Sequence, residues 1–281
     1  MSITDSQNVF ANLNAPSLPS VLEGLNELLQ DPQVSIADIG RAVSADASIA
    51  ARTIRIANSS YYALTEPAQD IERAAIVLGI RALRSIVTRA SILQHYDYLA
   101  RIEGFDVTAL WKHSILTAQM AELVAQRLGA TGAGVTPEDL YTCGLLHDIG
   151  KIVLLDNFGD EYVGLVRTAS SSGRELHECE QARFGFDHAR VGRAFAVKWS
   201  LPEVIQHMIS DHHDRGCDLR NDPPLAVIML ADTMTNHVER GAVPTGGAIA
   251  AHRAARALGV SRGTAAELLE LTLELHQTVE I

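Results

Sequence analysis

"TPEDLYTCGLLHDIGKIVLLDNF" (136–158) decides how this chain is to be read. Thr136 stands where a helix N-cap stands, and Pro137 occupies the first helical position, where its missing N–H costs nothing. The apolar residues that follow predict one continuous helix. Inside it, "GLLHDIGK" places His147, Asp148 and Lys151 in otherwise apolar surroundings. Polar and ionisable groups in such a place are costly unless hydrogen bonds, opposite charges or a metal compensate them. At three- and four-residue spacing the three side chains share a helix face. Gly150 removes a side chain beside them, so that a ligand or a second helix can come close.

The same helical period extends outward in both directions. Leu18, Val21, Leu22, Leu25, Leu28 and Leu29 form a stripe in 17–31. Ser35 and Asp38 open the next helix as a capping-box variant. The segment 47–60 ends in small polar residues, 59–67 reads as a loop, and 71–100 is one long or two abutting helices jointed at Gly79. Asp106 caps a helix over 107–129, and 130–134 is a loop. Further helices are expected at 160–171, 174–184, 187–199, 201–213, 224–240, 246–258 and 261–279. No segment alternates between hairpin signals, and there is no internal repeat. The expectation is an all-α fold of two helical parts meeting near residue 105.

Composition narrows the function classes. The 281 residues carry a formal net charge of −11, which speaks against duplex nucleic acid as a partner, since phosphate backbones are met with basic surfaces. No apolar run is long enough for a membrane span, and the N-terminus lacks the basic and apolar regions of a secretory signal. Three separated cysteines, Cys143, Cys179 and Cys217, suit reduced thiols. A cytoplasmic location is expected.

Candidate ligands accompany His147 and Asp148 on other predicted helices. These are His113 in "LWKHS", His188 in "FDHARVG", His212 and His213 in "SDHHD", and Asp232 in "MLADTM". Packed helices can project such side chains to one interior point. Imidazole and carboxylate donors without neighbouring cysteine suit one or two divalent transition-metal ions, among Fe, Mn, Zn, Co and Ni. A carboxylate has two oxygens, so Asp148 can bridge two ions, and two ions about 3.5–4 Å apart can clamp a phosphate for in-line attack. Lys151 would hold a phosphate oxygen or neutralise a nearby acid. His213 has a second reading, as a helix-terminal histidine stabilised by the macrodipole. His95, His177, His207, His237, His252 and His276 read as structural histidines. Arg52, Arg55, Arg81, Arg84 and Arg89 read as a solvated helix face pairing with the protein's own acids, with a nucleotide phosphate or an acidic partner as the alternative. The helix in 265–280 faces the core on its leucines or serves a dimer interface.

On these residues the chain resembles the HD superfamily of metal-dependent phosphohydrolases, whose H…HD…D signature falls on His113, His147, Asp148 and Asp232. His188, His212 and His213 stand where the related HD-GYP phosphodiesterases carry extra histidines. "RTIRIANSSYY" and "LGIRALRSIV" in the N-terminal half resemble the HDOD domain of bacterial signalling proteins. The resemblance covers roughly 15–235 and implies an N-terminal helical lobe (1–105) packed on an HD-like metal-site lobe (106–281). It implies metal-dependent hydrolysis of a phosphoester in a nucleotide or another phosphorylated small molecule, with Asp148 and Lys151 taking part. The alternative it implies is a catalytically silent signalling adaptor, which keeps a structural metal and binds signalling proteins. Two departures bear on the choice. "RGCDLRND" follows "SDHHD" where HD-GYP proteins carry DGxGYP, and Ala109 replaces the carboxylate that brings a third ion in some relatives.

Overall fold

A computed structural model describes residues 13, 20–28, 31, 33–132, 134–241 and 245–279. Leu18, Leu29, part of the 130–134 loop and the stretch bearing on a secretory signal lie outside them. Every regular element among the described residues is helical, and the fold is all-α as the periodicity predicts. The chain forms two compact units, one ending at Tyr98 and the other running from Leu99 to Val279.

In the first unit, α1 (Ser20–Leu28) buries Val21, Leu22 and Leu25. α2 (Ile36–Ser44) opens on the expected capping box, in which the Ser35 hydroxyl accepts from the Asp38 N–H and the Asp38 carboxylate accepts from the Ser35 N–H. α3 (Ala47–Ala57) follows, capped by Asp46. The loop after it is pinned by Asn58, whose side-chain amide donates to the Ala68 carbonyl and accepts from the Ala68 N–H. α4 (Ile71–Leu78) and α5 (Ile80–His95) meet at Gly79, whose φ of +85° a residue with a Cβ adopts only under strain. Arg52 pairs with Asp97 at 2.8 Å, as a face paired with the protein's own acids requires, whereas Arg89 is buried and not part of that face.

The second unit is built around α6 (Val107–Leu128), capped by Asp106 through the Ala109 N–H. α7 (Pro137–Leu146) and α13 (Pro223–Glu239) pack against it. α8 (Ile149–Phe158) lies on α11 (His188–Lys198), which also contacts α12 (Glu203–Asp211). α9 (Asp160–Ser172) and α10 (Leu176–Phe184) connect α8 to α11. α16 (Arg262–Thr278) buries Ala265, Leu268, Leu269 and Thr272 and packs on α6 and α13, which is the core-facing reading of that helix. Among the described residues, no helix is long and apolar enough to cross a membrane. The three cysteines are free.

Two expected helices are broken. The helix predicted over 136–158 stops at Leu146 and restarts at Ile149, with Asp148 at φ −99°, ψ 8°. That sparsely populated backbone region recurs at active-site residues. The break reflects packing in two directions. A Cβ on Gly144 would lie 2.7 Å from the Ala118 Cα in α6, and a Cβ on Gly150 would lie 1.9 Å from the His188 carbonyl oxygen in α11. Both glycines therefore admit a neighbouring helix, and His147 and Asp148 sit at the corner between the two contacts. The helix predicted over 246–258 is likewise two, α14 (Gly246–Ala251) and α15 (Arg253–Ala257), because His252 is extended and caps the second.

Candidate metal centre

The corner between α7 and α8 presents Asp148 to four histidines. The His147 Nε2 lies 3.4 Å and the His113 Nε2 3.7 Å from its Oδ2. The His188 Nε2 lies 3.2 Å and the His212 Nε2 3.7 Å from its Oδ1. Asp232, from α13, brings its Oδ1 to 3.2 Å of the His113 Nε2 and 3.8 Å of the His147 Nε2. The His213 Nε2 is 2.9 Å from the His188 Nε2. Two groups of potential ligands thus share one carboxylate: His113, His147 and Asp148, and Asp148, His188, His212 and His213. All seven residues that the sequence nominates for metal are brought together.

The far nitrogen of each of the four histidines around Asp148 is already engaged. The His147 Nδ1–H donates to the Gly144 carbonyl at 2.7 Å and the His212 Nδ1–H to the Ile209 carbonyl at 2.8 Å. His113 Nδ1 meets Glu239 at 2.8 Å, and His188 Nδ1 meets Glu180 at 2.6 Å. With Nδ1 acting as the donor, Nε2 is left to offer a lone pair, the arrangement in which imidazole binds metal.

The residues fit a cation on two counts. Asp148 Oδ1 and His212 Nε2 are buried without a hydrogen-bond partner, a state that polar atoms rarely keep. The electrostatics agree. Burial alone would lower the His113 pKa, yet Asp232, Glu239 and Asp148 hold it up to about 10. Burial opposes a proton on His188 too, and Glu180 and Asp148 still raise its pKa to about 9. The carboxylates are held low despite burial, Asp148 well below its usual range by His147 and Lys151, and Asp232 at about 2 by His113. A field that keeps protons on buried imidazoles favours a divalent ion in their place, with those protons released on binding. His212 and His213 are lowered, first by burial and then by neighbouring imidazoles.

Lys151 is ion-paired with the Asp148 Oδ2. Burial would lower its pKa, but Asp148 raises it, so it stays an ammonium group. It borders a cleft of about 840 Å³ that is also lined by Asp148, His188, His212, His213 and Asp232.

Sequence reasoning missed the supporting residues. Glu180 is fully buried; its Oε2 accepts from the backbone N–H of His188 and meets that ring, and its Oε1 accepts from the Tyr162 hydroxyl at 2.6 Å. Asn236 donates to the Asp232 Oδ1 at 2.6 Å. His177, read as merely structural, stacks on His213 with ring centroids 4.3 Å apart and lines the cleft. Signals existed for two of these. Glu180 interrupts the stripe Leu176–Glu180–Phe184, and Asp232, Asn236 and Glu239 share a helix face at spacings of four and three.

An uncharacterized protein of Treponema pallidum (strain Nichols) is 27% identical over 232 residues, covering 82% of this chain and 43% of that one. Ribonuclease Y of Mycoplasma genitalium is 25% identical over 143 residues, half of this chain and 22% of the enzyme. The chain therefore spans less than half the length of either relative. Among solved structures, an HDOD domain protein of unknown function from Geobacter sulfurreducens is 25% identical. It superposes with a TM-score of 0.78 over 98% of this chain and 95% of its own. A Shewanella amazonensis protein provisionally described as a phosphohydrolase shares the fold, with a TM-score of 0.76 at 20% identity over 98% of each chain. The family model for the HDOD domain matches residues 15–215 and ends before Asp232, Asn236 and Glu239. On that match, which covers more than half of its length, the chain belongs to the HDOD domain family.

Proposed function

We propose that this chain is a metal-dependent phosphohydrolase that cleaves a phosphoester of a nucleotide-like substrate in bacterial signal transduction. The observation that carries the reading is the set of four imidazoles, each anchored at Nδ1 and turning Nε2 toward the two oxygens of Asp148. His113, His147, Asp148 and Asp232 would hold one divalent ion, and Asp148, His188, His212 and His213 a second. The chemistry such ions supply is Lewis acidity, which polarises a phosphoryl oxygen and lowers the pKa of water.

The chain's own residues do the rest. Asp148 is the shared carboxylate, fixed by the corner between α7 and α8. Lys151 offers a cation at the cleft wall that can exchange its hold on Asp148 for a phosphate oxygen. Asn236 sets the orientation of Asp232, and Glu180 that of His188. The cleft is of the size that encloses small-molecule ligands, roughly 300–1,000 Å³.

The second reading, a signalling adaptor with a structural metal, is favoured by the HDOD match together with "RGCDLRND" standing where HD-GYP phosphodiesterases carry DGxGYP. Elemental analysis of the purified protein, beside turnover of p-nitrophenyl phosphate, bis(p-nitrophenyl) phosphate and a nucleotide panel, separates the two. Hydrolysis that disappears in Asp148→Ala supports the phosphohydrolase. Bound metal without turnover, together with a lower Tm in Asp148→Ala, supports the adaptor. Protein that takes up no metal overturns both.

A further inference from the structure

The charge of the cleft runs against the charge of the chain. Over the whole sequence 34 acidic residues outnumber 23 basic ones. Along the cleft the order reverses, with Lys151, Arg174, Arg215, Arg240 and Arg253 against Asp148, Glu175 and Asp232. Two of those three acids belong to the metal centre. Away from it, the walls carry four guanidinium groups and one carboxylate.

The four arginines are not equally committed. Arg253 spends its donors on the Asp214 and Cys217 carbonyls, which leave its charge uncancelled. Arg215 approaches Glu178 only to 3.6 Å and is largely exposed. Arg174 and Arg240 have neither a side-chain hydrogen bond nor an ion pair among the described residues. They come from separate helix ends, Arg174 just beyond α9 and Arg240 as the C-cap of α13. Arg240 is eight residues beyond Asp232 on the same helix, roughly 12 Å along its axis at about 1.5 Å per residue. Arg174 and Arg240 are exposed on the cleft wall, where guanidinium groups bind oxyanions through paired N–H donors. A cleft in which cations outnumber anions also attracts ligands of negative charge.

We propose that Arg174 and Arg240 form a second anion subsite in this cleft, which takes a ligand bearing a second phosphate separated from the one at Lys151 by the body of a nucleoside. This rests on the reading of the Lys151 end as the phosphate-hydrolysing site. The backbone rise from Asp232 to Arg240 exceeds the separation of two phosphates joined directly, and an arginine side chain reaching back along the helix shortens it to the range of phosphates at the 3′ and 5′ positions of one ribose.

The test compares adenosine 3′,5′-bisphosphate with adenosine 5′-monophosphate by titration calorimetry on the metal-loaded protein. Wild type is expected to bind the bisphosphate at least tenfold more tightly. In R174A/R240A that ratio should fall below threefold while metal content and Tm hold. R183A, which removes an arginine paired with Glu161 and absent from the cleft lining, should keep the wild-type ratio. Inorganic pyrophosphate serves as the adjacent-phosphate probe and should gain less than the bisphosphate over inorganic phosphate. Equal affinities in wild type, or a ratio unchanged in R174A/R240A, overturn the subsite. A protein that shows the ratio and its loss in R174A/R240A, yet turns over no phosphoester, keeps the subsite and loses the hydrolase reading alone.

Discussion

The two halves of the metal centre share Asp148 and little else. Around its Oδ2, His113 and His147 meet a second carboxylate, Asp232, with Glu239 behind His113. Around its Oδ1, three imidazoles crowd together with Glu180 behind His188, and the His188 and His213 Nε2 atoms lie 2.9 Å apart. The first half therefore balances its positive groups with oxygen anions from within. The second does not, and both buried atoms without partners, Asp148 Oδ1 and His212 Nε2, belong to it. A proton on His188 can bridge to the His213 Nε2, but it leaves the His212 Nε2 and the Asp148 Oδ1 without partners, whereas the oxygen-rich half can satisfy itself with protons. The second half is thus the part of the site that depends most on an ion.

The largest effect is expected where the halves join. Asp148→Ala removes an oxygen from each and leaves Lys151 without its ion-pair partner. Bound metal should fall below a tenth of the wild-type content, and any phosphoesterase activity with it, as elemental analysis and turnover will show. Retention of full metal would mean that Asp148 bridges nothing. His212→Ala touches the second half alone. Wild type that binds two ions should then bind one, while His113→Ala should weaken the first half and spare the second. If either variant empties the whole centre, the halves are not separable as argued.

Next in size is the corner that aims Asp148. Gly150→Ala drives a Cβ to 1.9 Å from the His188 carbonyl oxygen, backbone that cannot yield as a side chain can. Overpacking of this kind costs about 3 kcal/mol at the upper end of its usual range. A marked drop in Tm together with lower metal content is expected. The control is Gly164→Ala in α9, where a Cβ meets nothing within 4 Å. There the gain in helix propensity should stabilise by about 0.5–1 kcal/mol. Equal behaviour of the two variants in thermal denaturation would remove close packing as the reason for glycine at 150.

A smaller effect belongs to Glu180. Glu180→Gln keeps the volume but removes the anion that orients His188, and loss of such a partner typically costs about 10–100-fold in metal affinity. Metal competition titrations should show the loss confined to the second ion, with Tyr162→Phe a weaker version of the same change. An equal loss of both ions would join Glu180 to the whole centre.

These variants also mark where the sequence was readable. Histidine and aspartate at helical spacing, each on a separate segment, announce chemistry because burying them without compensation is costly. The seven residues that meet around Asp148 were legible as a group for that reason, and so was the all-α fold, from its capping residues and apolar stripes. Glu180, Glu239 and Asn236 left only an interrupted stripe and a shared helix face, signals easily passed over because carboxylates and amides are the ordinary stock of helix surfaces. The break at His147 and Asp148 was hidden for another reason. Apolar residues at helical spacing continue from Pro137 to Phe158 with only Gly144 and Gly150 as weak points, and the corner is imposed from outside, by α6 against Gly144 and α11 against Gly150.

The smallest effect tests whether the corner is held by its ends or by its middle. Thr136 caps α7: its hydroxyl accepts from the Asp139 N–H, and the Asp139 carboxylate accepts from the Thr136 N–H in return. Thr136→Ala should cost about 1 kcal/mol, as loss of a helix cap generally does. For a unit of this size that is a fall of about 2–4 °C in Tm. Both halves of the metal centre should be untouched, because His147 and Asp148 lie three turns away and are positioned by Gly144 and Gly150. Metal stoichiometry at the wild-type value with a slightly lower Tm is the expected pair of measurements. If metal is lost on removing the cap, the start of α7 rather than the two glycine contacts sets the direction of Asp148. The difference between the halves would then be governed by helix stability instead of by the ligands each one holds.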